Sequence, residues 1–581
     1  MHTSKDTVLS PNSWDSHLPE RLWTAAKSTS NHGLVFVERS GTETRFTWSE
    51  IAERSRCMAS YLYKNGVRFG DRVAIVLPTC IDFFDIFFGC QILGAIPVPL
   101  YPPLRLGKLD TYVKRTVAML GAVNASMLIS NRRVSKVLGT VLAQYTHSLG
   151  LQLVDDINLH KETPIAEWNP NITPDHLAMA QFSSGTTVAP KPVGLTHRNV
   201  LSNTDIICSV VDGNIGCSWL PLYHDMGLIG CIFPALSKVG TMVLISPDDF
   251  LRKPALWLQS ISKHQAYISP APNFAYAYCT QRIKDKELQG VDLSSWKMAL
   301  NGAEAVAPKH LRAFIERFST VGFDAQALCP VYGLAEASLG VSFSSPNTLF
   351  TAHQFDRQAM QQGHIVPCDD GVELASVGKA LPFCQVEIRE NNAALPDNTI
   401  GEIWVKSPSV MQGYLNDAPS SIKEGWLATG DLGFIFEGEL YIYGRQKDVI
   451  VLGGQNHAPQ DLEMAVDGIE GVRVGCTVAV SKVDENGESV YLFVETTHQN
   501  NSLAEQCKQA VLRETGISCD LIVLLKPGTI PRTSSGKLRR RTTLHLFETE
   551  NLLPPKELNT LTMAGILASS VIGHWKARWT K

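Results

Sequence analysis

Residues 182–197 read Phe-Ser-Ser-Gly-Thr-Thr-Val-Ala-Pro-Lys-Pro-Val-Gly-Leu-Thr-His, and the interpretation of the whole chain starts from this stretch. Apolar residues lead into it from Leu177, which predicts a strand that runs into a loop. The loop offers Gly185, Lys191 and four hydroxyl side chains, those of Ser183, Ser184, Thr186 and Thr187. Backbone N–H groups, hydroxyls and one cation can together hold a phosphate chain. The spacing is not that of a Walker A loop, and a plain surface loop is the alternative.

The composition is that of a large globular protein. The chain has 581 residues, enough for more than one domain with a sizeable core, and 44% of them are hydrophobic. The formal net charge of −4 argues against a nucleic-acid binder held by bulk electrostatics. The 13 cysteines include no Cys-x-x-Cys pair, so neither a zinc site nor a disulfide framework is predicted. Reduced thiols in the cytoplasm are therefore expected.

The most apolar stretch, residues 81–100, does not predict a membrane span. It contains Asp82, Asp85 and Pro97, and it is instead predicted to be a buried helix that runs into a strand. The first six residues lack the apolar core of a signal peptide. We therefore expect a protein that is not integral to a membrane.

Predicted strands and helices alternate along the first half of the chain. Thr47 and Glu50 form a capping box that opens a helix. Strand, helix and strand are then predicted at 71–78, 82–94 and 95–100, with further strands around 125–130, 152–154, 241–245 and 266–269. This order implies parallel strands joined by right-handed crossovers. The predicted fold class is therefore α/β.

Two apolar stretches carry candidate binding residues. His224 lies in Trp219-Leu-Pro-Leu-Tyr-His-Asp-Met-Gly227, where it either faces a reacting carboxylate or is a core histidine with satisfied hydrogen bonds. Residues 269–276 form a proline-rich turn that enters an aromatic helix. This turn either lines a slot for an apolar ligand or packs in the core.

Two further loops follow short apolar segments, at 301–304 (Asn-Gly-Ala-Glu) and at 330–336 (Pro-Val-Tyr-Gly-Leu-Ala-Glu). Open α/β sheets bind ligands at such strand ends. Gly302 and Gly333 permit close approach of the backbone, and Tyr332 supplies a flat face for a base. Glu336 is either an oxygen ligand suited to Mg²⁺ beside phosphates or a solvated surface glutamate.

A charged link and a small module follow in the last part of the chain. Residues 444–450 (Gly-Arg-Gln-Lys-Asp-Val-Ile) predict a domain boundary, with an exposed turn as the alternative. After them, strands at 475–480, 490–494 and 521–525 predict an α+β module. The loop 527–537 then presents Lys537 ahead of three consecutive arginines, which alone would be a solvated face.

In this order, the segments resemble the adenylate-forming superfamily of acyl-CoA synthetases, luciferases and peptide-synthetase adenylation domains. The resemblance spans nearly the whole chain. Four segments look like those of the fatty acyl-AMP ligases, namely Pro99–Pro103, Trp219–Gly227, Pro272–Tyr276 and Gly454–Glu463. The resemblance implies ATP-dependent conversion of a fatty acid to an acyl adenylate with release of pyrophosphate. It also implies transfer of the acyl chain to the phosphopantetheine thiol of an acyl carrier protein or a polyketide synthase carrier domain.

The resemblance further implies an architecture. Residues 1–445 would form a large ATP- and acyl-binding domain of parallel-rich sheets flanked by helices, with a small β-barrel-like subdomain. Residues 446–581 would form a small mobile α+β domain that carries the catalytic lysine, Lys537. Lys447 would occupy the hinge, about which this domain rotates after adenylation in the superfamily.

Individual roles follow from the same resemblance. His224 and Lys537 would serve catalysis, and Glu336 would hold Mg²⁺. The residues implied for ATP binding are Ser183, Ser184, Gly185, Thr186, Thr187, Lys191, Gly302, Ala303, Glu304, Tyr332, Gly333, Asp431 and Arg445. Those implied for the acyl chain are His224, Met226, Gly227 and Phe274. The phosphate loop departs from the family pattern, which has glycine where this chain has Val188 and Pro192, and the departure concerns loop mobility and phosphate affinity.

A long, largely polar segment, residues 343–374, separates Glu336 from the next predicted elements. It resembles an insertion of the fatty acyl-AMP ligases, absent from acyl-CoA synthetases, which packs against the C-terminal domain and hinders the use of CoA. Little or no acyl-CoA product is therefore expected, and the alternative is a surface loop without a functional role. One rival interpretation is a fatty acyl-CoA synthetase. Another is a non-catalytic acyl-chain or nucleotide-binding protein, which the altered phosphate loop favours and the retained Lys537, Glu336 and Asp431 oppose.

Overall fold

The computed structural model describes residues 14–103, 109–145, 147–183, 190–416, 418–452, 455–484, 487–497, 501–533 and 536–555. In chain order, its α-helices are α1 Leu18–Ala26, α2 Trp48–Lys64, α3 Ile81–Leu93, α4 Leu109–Val123, α5 Arg132–Leu142, α6 His197–Val210, α7 Asp225–Gly227, α8 Phe233–Ser237, α9 Pro247–Arg252, α10 Ala255–His264, α11 Asn273–Arg282, α12 Pro308–Phe318, α13 Arg357–Gln361, α14 Pro459–Ala465, α15 Asn501–Thr515 and α16 Arg540–Glu548.

The strands, in the same order, are β1 Gly33–Val37, β2 Glu43–Thr47, β3 Arg72–Val76, β4 Ile96–Pro99, β5 Met127–Ser130, β6 Gly150–Leu153, β7 Leu177–Phe182, β8 Pro192–Thr196, β9 Ile215–Ser218, β10 Thr241–Ile245, β11 Ile268–Ala271, β12 Met298–Asn301, β13 Leu328–Gly333, β14 Gly340–Phe343, β15 Ala352–Phe355, β16 Val372–Ala375, β17 Lys379–Ala380, β18 Gln385–Glu390, β19 Ala393–Ala394, β20 Gly401–Lys406, β21 Gly413–Tyr414, β22 Ile422–Lys423, β23 Trp426–Phe436, β24 Glu439–Arg445, β25 Ile450–Leu452, β26 Gln455–His457, β27 Val472–Asp484, β28 Gly487–Thr496 and β29 Leu521–Leu525.

The largest sheet has nine strands in the order β17-β14-β13-β12-β11-β9-β10-β1-β2. Its central strands are parallel, and antiparallel strands close both edges. A second sheet, β4-β3-β5-β6, is parallel throughout. The α/β class predicted from the alternation of strands and helices is confirmed.

Helix α3 is buried along most of its length, as its apolar sequence predicts. Phe83, Phe84, Phe87 and Phe88 are all buried in it, and full burial of one such side chain stabilises the fold by roughly 1.5–3 kcal/mol. The helix ends at Gly94, whose φ of 71° is left-handed. None of the described helices is long and apolar enough to cross a membrane.

Two antiparallel sheets complete the part of the chain before residue 446. Strands β7 and β8 pair with each other, and β21 adds to β8, so the stretch around Lys191 belongs to a hairpin. The other sheet has the order β19-β18-β20-β23-β22, with β24 paired to β23. The long polar segment 343–374 contains β15, α13 and the start of β16, and β15 pairs with β16. The segment has few apolar residues, so its sequence shows no pattern that would predict the pairing of β15 with β16.

We call the residues up to 445 the N-terminal lobe and those from 446 the C-terminal lobe. The C-terminal lobe is built on the sheet β27-β28-β29, with α14 and α15 covering one face. Strands β27 and β28 contain the predicted strands at 475–480 and 490–494 and pair antiparallel, and β29 joins parallel to β28. The lobe has its own apolar core, in which Leu462, Leu492 and Val511 are buried.

Candidate active site

Four neighbouring parallel strands, β9, β11, β12 and β13, end at the same edge of the nine-stranded sheet. The chain after β9 carries His224, the chain after β11 carries Phe274 and the chain after β12 carries Glu304. Tyr332 and Glu336 lie at the end of β13 and just beyond it. Parallel topology therefore gathers residues that are far apart in sequence at one crevice, where open α/β sheets bind ligands.

This crevice is a cavity of ≈ 340 Å³ that both lobes line. Most of the predicted site residues that the structure describes contribute to it, namely Ser183, His224, Met226, Phe274, Ala303, Glu304, Tyr332, Gly333, Glu336, Asp431, Arg445 and Lys537. Gly302, Gly227 and Lys191 lie beside these residues without lining the cavity. Ser184, Gly185, Thr186 and Thr187 fall outside the described residues, as does Val188.

The loops after β12 and β13 approach neighbouring backbone closely. A Cβ at Gly333 would stand 1.9 Å from the carbonyl oxygen of Leu339, and one at Gly302 would stand 2.9 Å from that of Val331. Neither position tolerates a side chain without movement of the backbone. Ala303 has a φ of 67°, which is strained for a residue with a Cβ and is typical of functional loops.

Tyr332, Asp431 and Arg445 form a hydrogen-bonded group on one wall. The Tyr332 hydroxyl donates to Asp431 Oδ2 at 2.8 Å, and Arg445 Nε donates to Oδ1 at 2.8 Å. Asp431 and Arg445 face each other in the register of β23 and β24. Burial, together with the Asp431 carboxylate, raises the pKa of Tyr332 well above its usual value, so this hydroxyl stays protonated as a donor.

Glu336, which lines the cavity, and Lys191, which lies beside it, both contact Tyr414. The Tyr414 hydroxyl donates to Glu336 Oε1 at 3.1 Å, and Lys191 Nζ lies 4.9 Å from the centroid of the same ring. Burial raises the pKa of Glu336, while Arg445 acts in the opposite direction. A lysine ammonium and a carboxylate thus flank the end of the β7–β8 hairpin, which suits a phosphate chain with a cation.

The hairpin that carries the predicted phosphate loop is held at its base. Ser183 N donates to the carbonyl oxygen of Lys191 at 3.2 Å, and Asn416 Nδ2 donates to that of Pro190 at 3.1 Å. Pro192 opens β8, where its carbonyl accepts from Leu415 N at 2.8 Å. Pro192, which stands where the family pattern has glycine, is therefore tolerated as the first residue of a strand.

His224 and Asp225 are adjacent in the cavity, with His224 Nδ1 2.6 Å from Asp225 Oδ1. Burial opposes ionisation of Asp225, yet His224 and the nearby charge of Lys537 lower its pKa overall. The two residues open a helical segment in which a π-helical turn, Leu228–Ile232, joins α7 to α8. Such turns are frequent at functional sites.

Lys537 enters the cavity from the C-terminal lobe. A tight turn holds its backbone, because Thr533 N donates to the Lys537 carbonyl at 2.8 Å and Thr533 Oγ1 accepts from Lys537 N at 3.0 Å. Burial and the charge of Arg445 lower the pKa of Lys537, while Asp225, Asp431 and Glu304 act against this shift. The carboxylates of Asp225, Glu304 and Asp431, from three separate elements, therefore share the cavity with this ammonium group.

The remaining wall of the cavity is apolar. Met226 and Phe274 lie on it with Leu300, Val331, Leu339 and Phe343. The Phe274 ring packs edge-on against Trp219, with centroids 5.9 Å apart, and its backbone N–H donates to Glu304 Oε2 at 3.1 Å. The apolar wall thus adjoins the polar groups that share the cavity with Lys537.

Lys447 lies in the turn between the lobes, and its side chain is exposed. The carbonyl oxygen of Lys447 accepts from Arg541 Nε at 2.9 Å, and the next residue, Asp448, is buried and paired with Arg540 at 3.1 Å. Arg540 also donates to both oxygens of Glu463, at 2.7 and 2.6 Å. The turn is therefore tied to the segment that follows Lys537.

Sequence reasoning missed two residues of the cavity region. The sequence pattern assigns no role to Asp225, although its carboxylate lines the cavity with Lys537. It assigns none to Tyr414, although this residue contacts both Glu336 and Lys191. A charged residue next to a candidate histidine could have pointed to Asp225, whereas the sequence carries no signal for a contact between residues 336 and 414.

Comparisons with known proteins agree with this geometry. The family model of AMP-binding enzymes matches residues 22–415, and that of the AMP domain of Disco-interacting protein 2-like proteins matches residues 447–556. The long-chain-fatty-acid–AMP ligase FadD26 of Mycobacterium marinum is 32% identical over 559 residues, covering 88% of this chain and 93% of that protein. A putative acyl-CoA synthetase of Caulobacter vibrioides is 32% identical over 512 residues, covering 85% of this chain and 88% of that protein.

A solved structure gives the same result for the fold. It comes from a study of fatty acyl-adenylate ligases from E. coli and L. pneumophila, with 30% identity, a TM-score of 0.85 and coverage of 92% of this chain and 98% of that one. The chain belongs to the family of AMP-binding enzymes and is an adenylate-forming ligase. The resemblance to fatty acyl-AMP ligases and the fold expected from it are confirmed.

Proposed function

We propose that this enzyme activates a fatty acid with ATP to form a fatty acyl adenylate, and then passes the acyl group to the phosphopantetheine thiol of a carrier protein. The observation that carries the proposal is that Lys537, from the C-terminal lobe, lines the same cavity as Asp225, Glu304 and Asp431 of the N-terminal lobe, and that this cavity has one apolar wall. The relatedness to a long-chain-fatty-acid–AMP ligase supports the same substrate class.

The chemistry explains why a lysine is needed there. A carboxylate is a poor acyl donor because its oxygen is a poor leaving group. In adenylation, a carboxylate oxygen attacks the α-phosphorus of ATP, the bond from that phosphorus to the bridging oxygen breaks, and pyrophosphate leaves with the electron pair. Two anions approach each other in this step, so a cation between them lowers the barrier. Lys537 is assigned this role, and His224 borders the reacting carboxylate.

The nucleotide is assigned to the polar walls. Gly302, Ala303 and Glu304 frame the adenine on one side, and Tyr332 and Gly333 do so on the other. Asp431 and Arg445 lie where they can reach the ribose hydroxyls. The β- and γ-phosphates are assigned to residues 183–191, and the position of Lys191 near Glu336 and Tyr414 supports this assignment.

Mg²⁺ is the metal that this reaction calls for, and Glu336 is the residue assigned to hold it. Among the residues that the structure describes, no three His, Cys, Asp or Glu side chains gather as a metal site. A single carboxylate suits Mg²⁺, which keeps several waters and takes substrate phosphates as its other ligands. The bound ion would offset the charge that develops on pyrophosphate as it leaves.

The acyl chain is assigned to the apolar wall, where Met226 and Phe274 lie, with Gly227 directly beside it. Gly227 is buried so tightly that a Cβ there would stand 2.2 Å from the carbonyl oxygen of Pro221. The wall continues through Leu300 and Leu339, so a fatty acid can bury its chain while its carboxylate reaches Lys537. Burial of each methylene group stabilises the complex by roughly 0.8 kcal/mol.

The segment 343–374 favours a carrier protein over CoA as acceptor, because it binds the C-terminal lobe. Arg357 Nη2 donates to the carbonyl oxygen of Glu514 at 3.0 Å, and its Nη1 lies 3.6 Å from Asp461 Oδ2. Met360 and Ile365 share an apolar cluster with Ala458. These contacts restrain the lobe that would have to move for CoA to reach the adenylate.

We also propose that the protein is located in the cytoplasm. All thirteen cysteines are free, and most are buried, which suits a reducing compartment. ATP and holo carrier proteins are available in the same compartment.

A panel of fatty acids with ATP and hydroxylamine tests the first half-reaction, because hydroxylamine traps the adenylate as a hydroxamate. The expected result is hydroxamate formation and release of pyrophosphate that depend on the fatty acid. Addition of a holo carrier protein should then yield an acylated protein visible by mass spectrometry, whereas its apo form should yield none. Absence of hydroxamate across the panel would contradict the proposal.

A further inference from the structure

Another contact between the lobes lines the same cavity and is made by side chains to which the adenylation step above assigns no role. His310, on α12, brings its Nε2 to 3.8 Å from Oδ2 of Asp467, which follows α14 in the C-terminal lobe. Both side chains are largely buried. Lys309, the neighbour of His310, brings Nζ to 3.7 Å from the position that a Cβ of Gly468 would occupy. The His310–Asp467 distance is that of an electrostatic contact, longer than a direct hydrogen bond.

The neighbours of His310 fix the orientation of its ring. Asn273 Oδ1 accepts from Ala307 N at 3.1 Å and from Asn301 Nδ2 at 3.3 Å. The Asn273 amide nitrogen is therefore the atom that faces His310 Nδ1, at 3.0 Å, and it donates to that nitrogen. In the neutral ring the proton must then lie on Nε2, the atom that faces Asp467.

Asp467 is linked in turn to the loop that presents the lysine. Its Oδ1 accepts from Gly475 N at 3.0 Å. The Gly475 carbonyl accepts from Arg532 Nη2 at 2.6 Å, and Arg532 Nη1 donates to the carbonyl of Gly536 at 2.7 Å. Gly536 directly precedes Lys537. A continuous path of polar contacts therefore runs from α12 of the N-terminal lobe to the lysine.

The same path touches the substrate loops at its other end. A Cβ at Gly475 would stand 3.9 Å from that of Phe274, on the apolar wall of the cavity. Asn273, which holds His310, is the first residue of α11 and also bonds Asn301, next to the loop at Gly302. The His310–Asp467 contact thus links the loops assigned to the substrates with the loop that carries Lys537.

We propose that His310, Asp467 and Arg532 form an interlobe latch whose role is to position Lys537 for adenylation. These three are positioning residues, since they reach the reaction through Gly536 and the lysine loop. The inference rests on the proposed function, because it assigns them to the first half-reaction. Transfer of an acyl group from a finished adenylate to a thiol does not join two anions, so it should not depend on the latch.

The test compares the two half-reactions in His310→Ala and Asp467→Asn. The second change is nearly isosteric and keeps an acceptor for Gly475 N, so it guards against a general folding defect. Fatty-acid-dependent ATP–pyrophosphate exchange should fall about tenfold or more in each variant, as misplacement of a catalytic group by a fraction of an ångström does. Acyl transfer from chemically prepared acyl-AMP to holo carrier protein should stay within about twofold of the wild-type rate.

Three controls separate positioning from general damage. His264→Ala removes another largely buried histidine paired with a carboxylate, Glu43 at 2.9 Å, but within the N-terminal lobe, and it should leave exchange unchanged. His310→Gln retains an N–H donor toward Asp467 and should recover part of the exchange. The double variant His310→Ala with Asp467→Asn should lose no more than the stronger single variant, because both changes break one contact.

Normal exchange in both single variants would overturn the latch, as would additive losses in the double variant or equal losses in the two half-reactions. Absence of exchange in the wild-type chain would instead contradict the proposed function. In that case small-angle scattering decides on the latch: His310→Ala should enlarge the radius of gyration relative to His264→Ala. An unchanged radius would overturn it.

Discussion

The hydroxyl of Tyr332 donates a hydrogen bond to Asp431 across 2.8 Å and thereby joins the end of the nine-stranded sheet to the six-stranded antiparallel sheet. Both residues are buried, and Arg445 holds the other carboxylate oxygen. The carboxylate is thus fixed before any nucleotide arrives. Because a preorganised group loses little freedom on binding, this arrangement should strengthen ATP binding.

Removal of the Tyr332 hydroxyl tests this preorganisation. Tyr332→Phe keeps the ring and leaves one oxygen of Asp431 without its donor, at a cost of about 1 kcal/mol. We expect the KM for ATP in pyrophosphate exchange to rise about fivefold, with kcat little changed. Tyr61→Phe, which loses a bond of 2.8 Å to Gln152 far from the cavity, should leave KM unchanged. An unaltered KM in Tyr332→Phe would refute the role of this bond.

Glu336→Gln tests the assigned metal ligand. The amide cannot supply the negative charge that Mg²⁺ prefers, although it keeps an oxygen for Tyr414. The Mg²⁺ concentration for half-maximal exchange should rise at least about tenfold, with a smaller loss at saturation. Glu162→Gln, which alters an ion pair with Lys64 remote from the cavity, is the matched control. The same Mg²⁺ dependence in both variants would remove Glu336 from the metal site.

Weakening the contacts between segment 343–374 and the C-terminal lobe tests whether this segment disfavours CoA as the acyl acceptor. Arg357→Ala combined with Met360→Ala removes the polar and apolar contacts of α13 with the C-terminal lobe. We expect wild-type protein to form almost no acyl-CoA from ATP, fatty acid and CoA, and the double variant to form several times more, as measured by mass spectrometry. Arg317→Ala, which breaks an ion pair with the exposed Asp285 within the N-terminal lobe and outside this segment, should behave as wild type. Abundant acyl-CoA from the wild-type chain would contradict the assignment to a carrier protein.

A buried histidine makes stability depend on pH. His197 accepts from Leu18 N at 3.2 Å, and burial lowers its pKa to about 3. Because the unfolded chain binds this proton near pH 6.5, the stabilising contribution is complete above that pH and is lost as the pH falls toward 3. Between pH 7.5 and 5.5 the loss is about 1.4 kcal/mol for one such group.

The measurement is the thermal midpoint of the N-terminal lobe across that range. His197→Asn should show a shallower fall than wild type, although its absolute midpoint is lower because a buried contact is altered. His364→Asn changes an exposed histidine and should follow the wild-type slope. Equal slopes in His197→Asn and wild type would show that this residue is not the buried titrating group.

Much of the fold could be predicted because its signals are local. The capping box of Thr47 and Glu50 opens α2 as expected, and the predicted strand at 241–245 has the bounds of β10. Strand-end glycines such as Gly302 and Gly333 likewise pointed to the crevice. Each of these features depends on neighbours within a few residues, which a sequence pattern records.

Other features depend on contacts between distant segments, and no pattern recorded them. The pairing of β15 with β16 closes a segment that looked irregular, and Tyr414 reaches Glu336 only because β21 extends the β7–β8 hairpin. The contact of His310 with Asp467 joins residues in different lobes. Their geometry is set by packing of whole sheets and lobes, which periodicity and spacing do not encode.

Lys537→Ala in fatty-acid-dependent ATP–pyrophosphate exchange is the most direct test of the account. The ammonium group shares the cavity with Asp225, Glu304 and Asp431, and its loss should lower exchange at least about a hundredfold, as removal of a preorganised electrostatic group does. Lys526→Ala, an exposed lysine of the same lobe, should retain the wild-type rate. Near-normal exchange in Lys537→Ala would contradict the central claim that this lysine joins the fatty acid to the nucleotide.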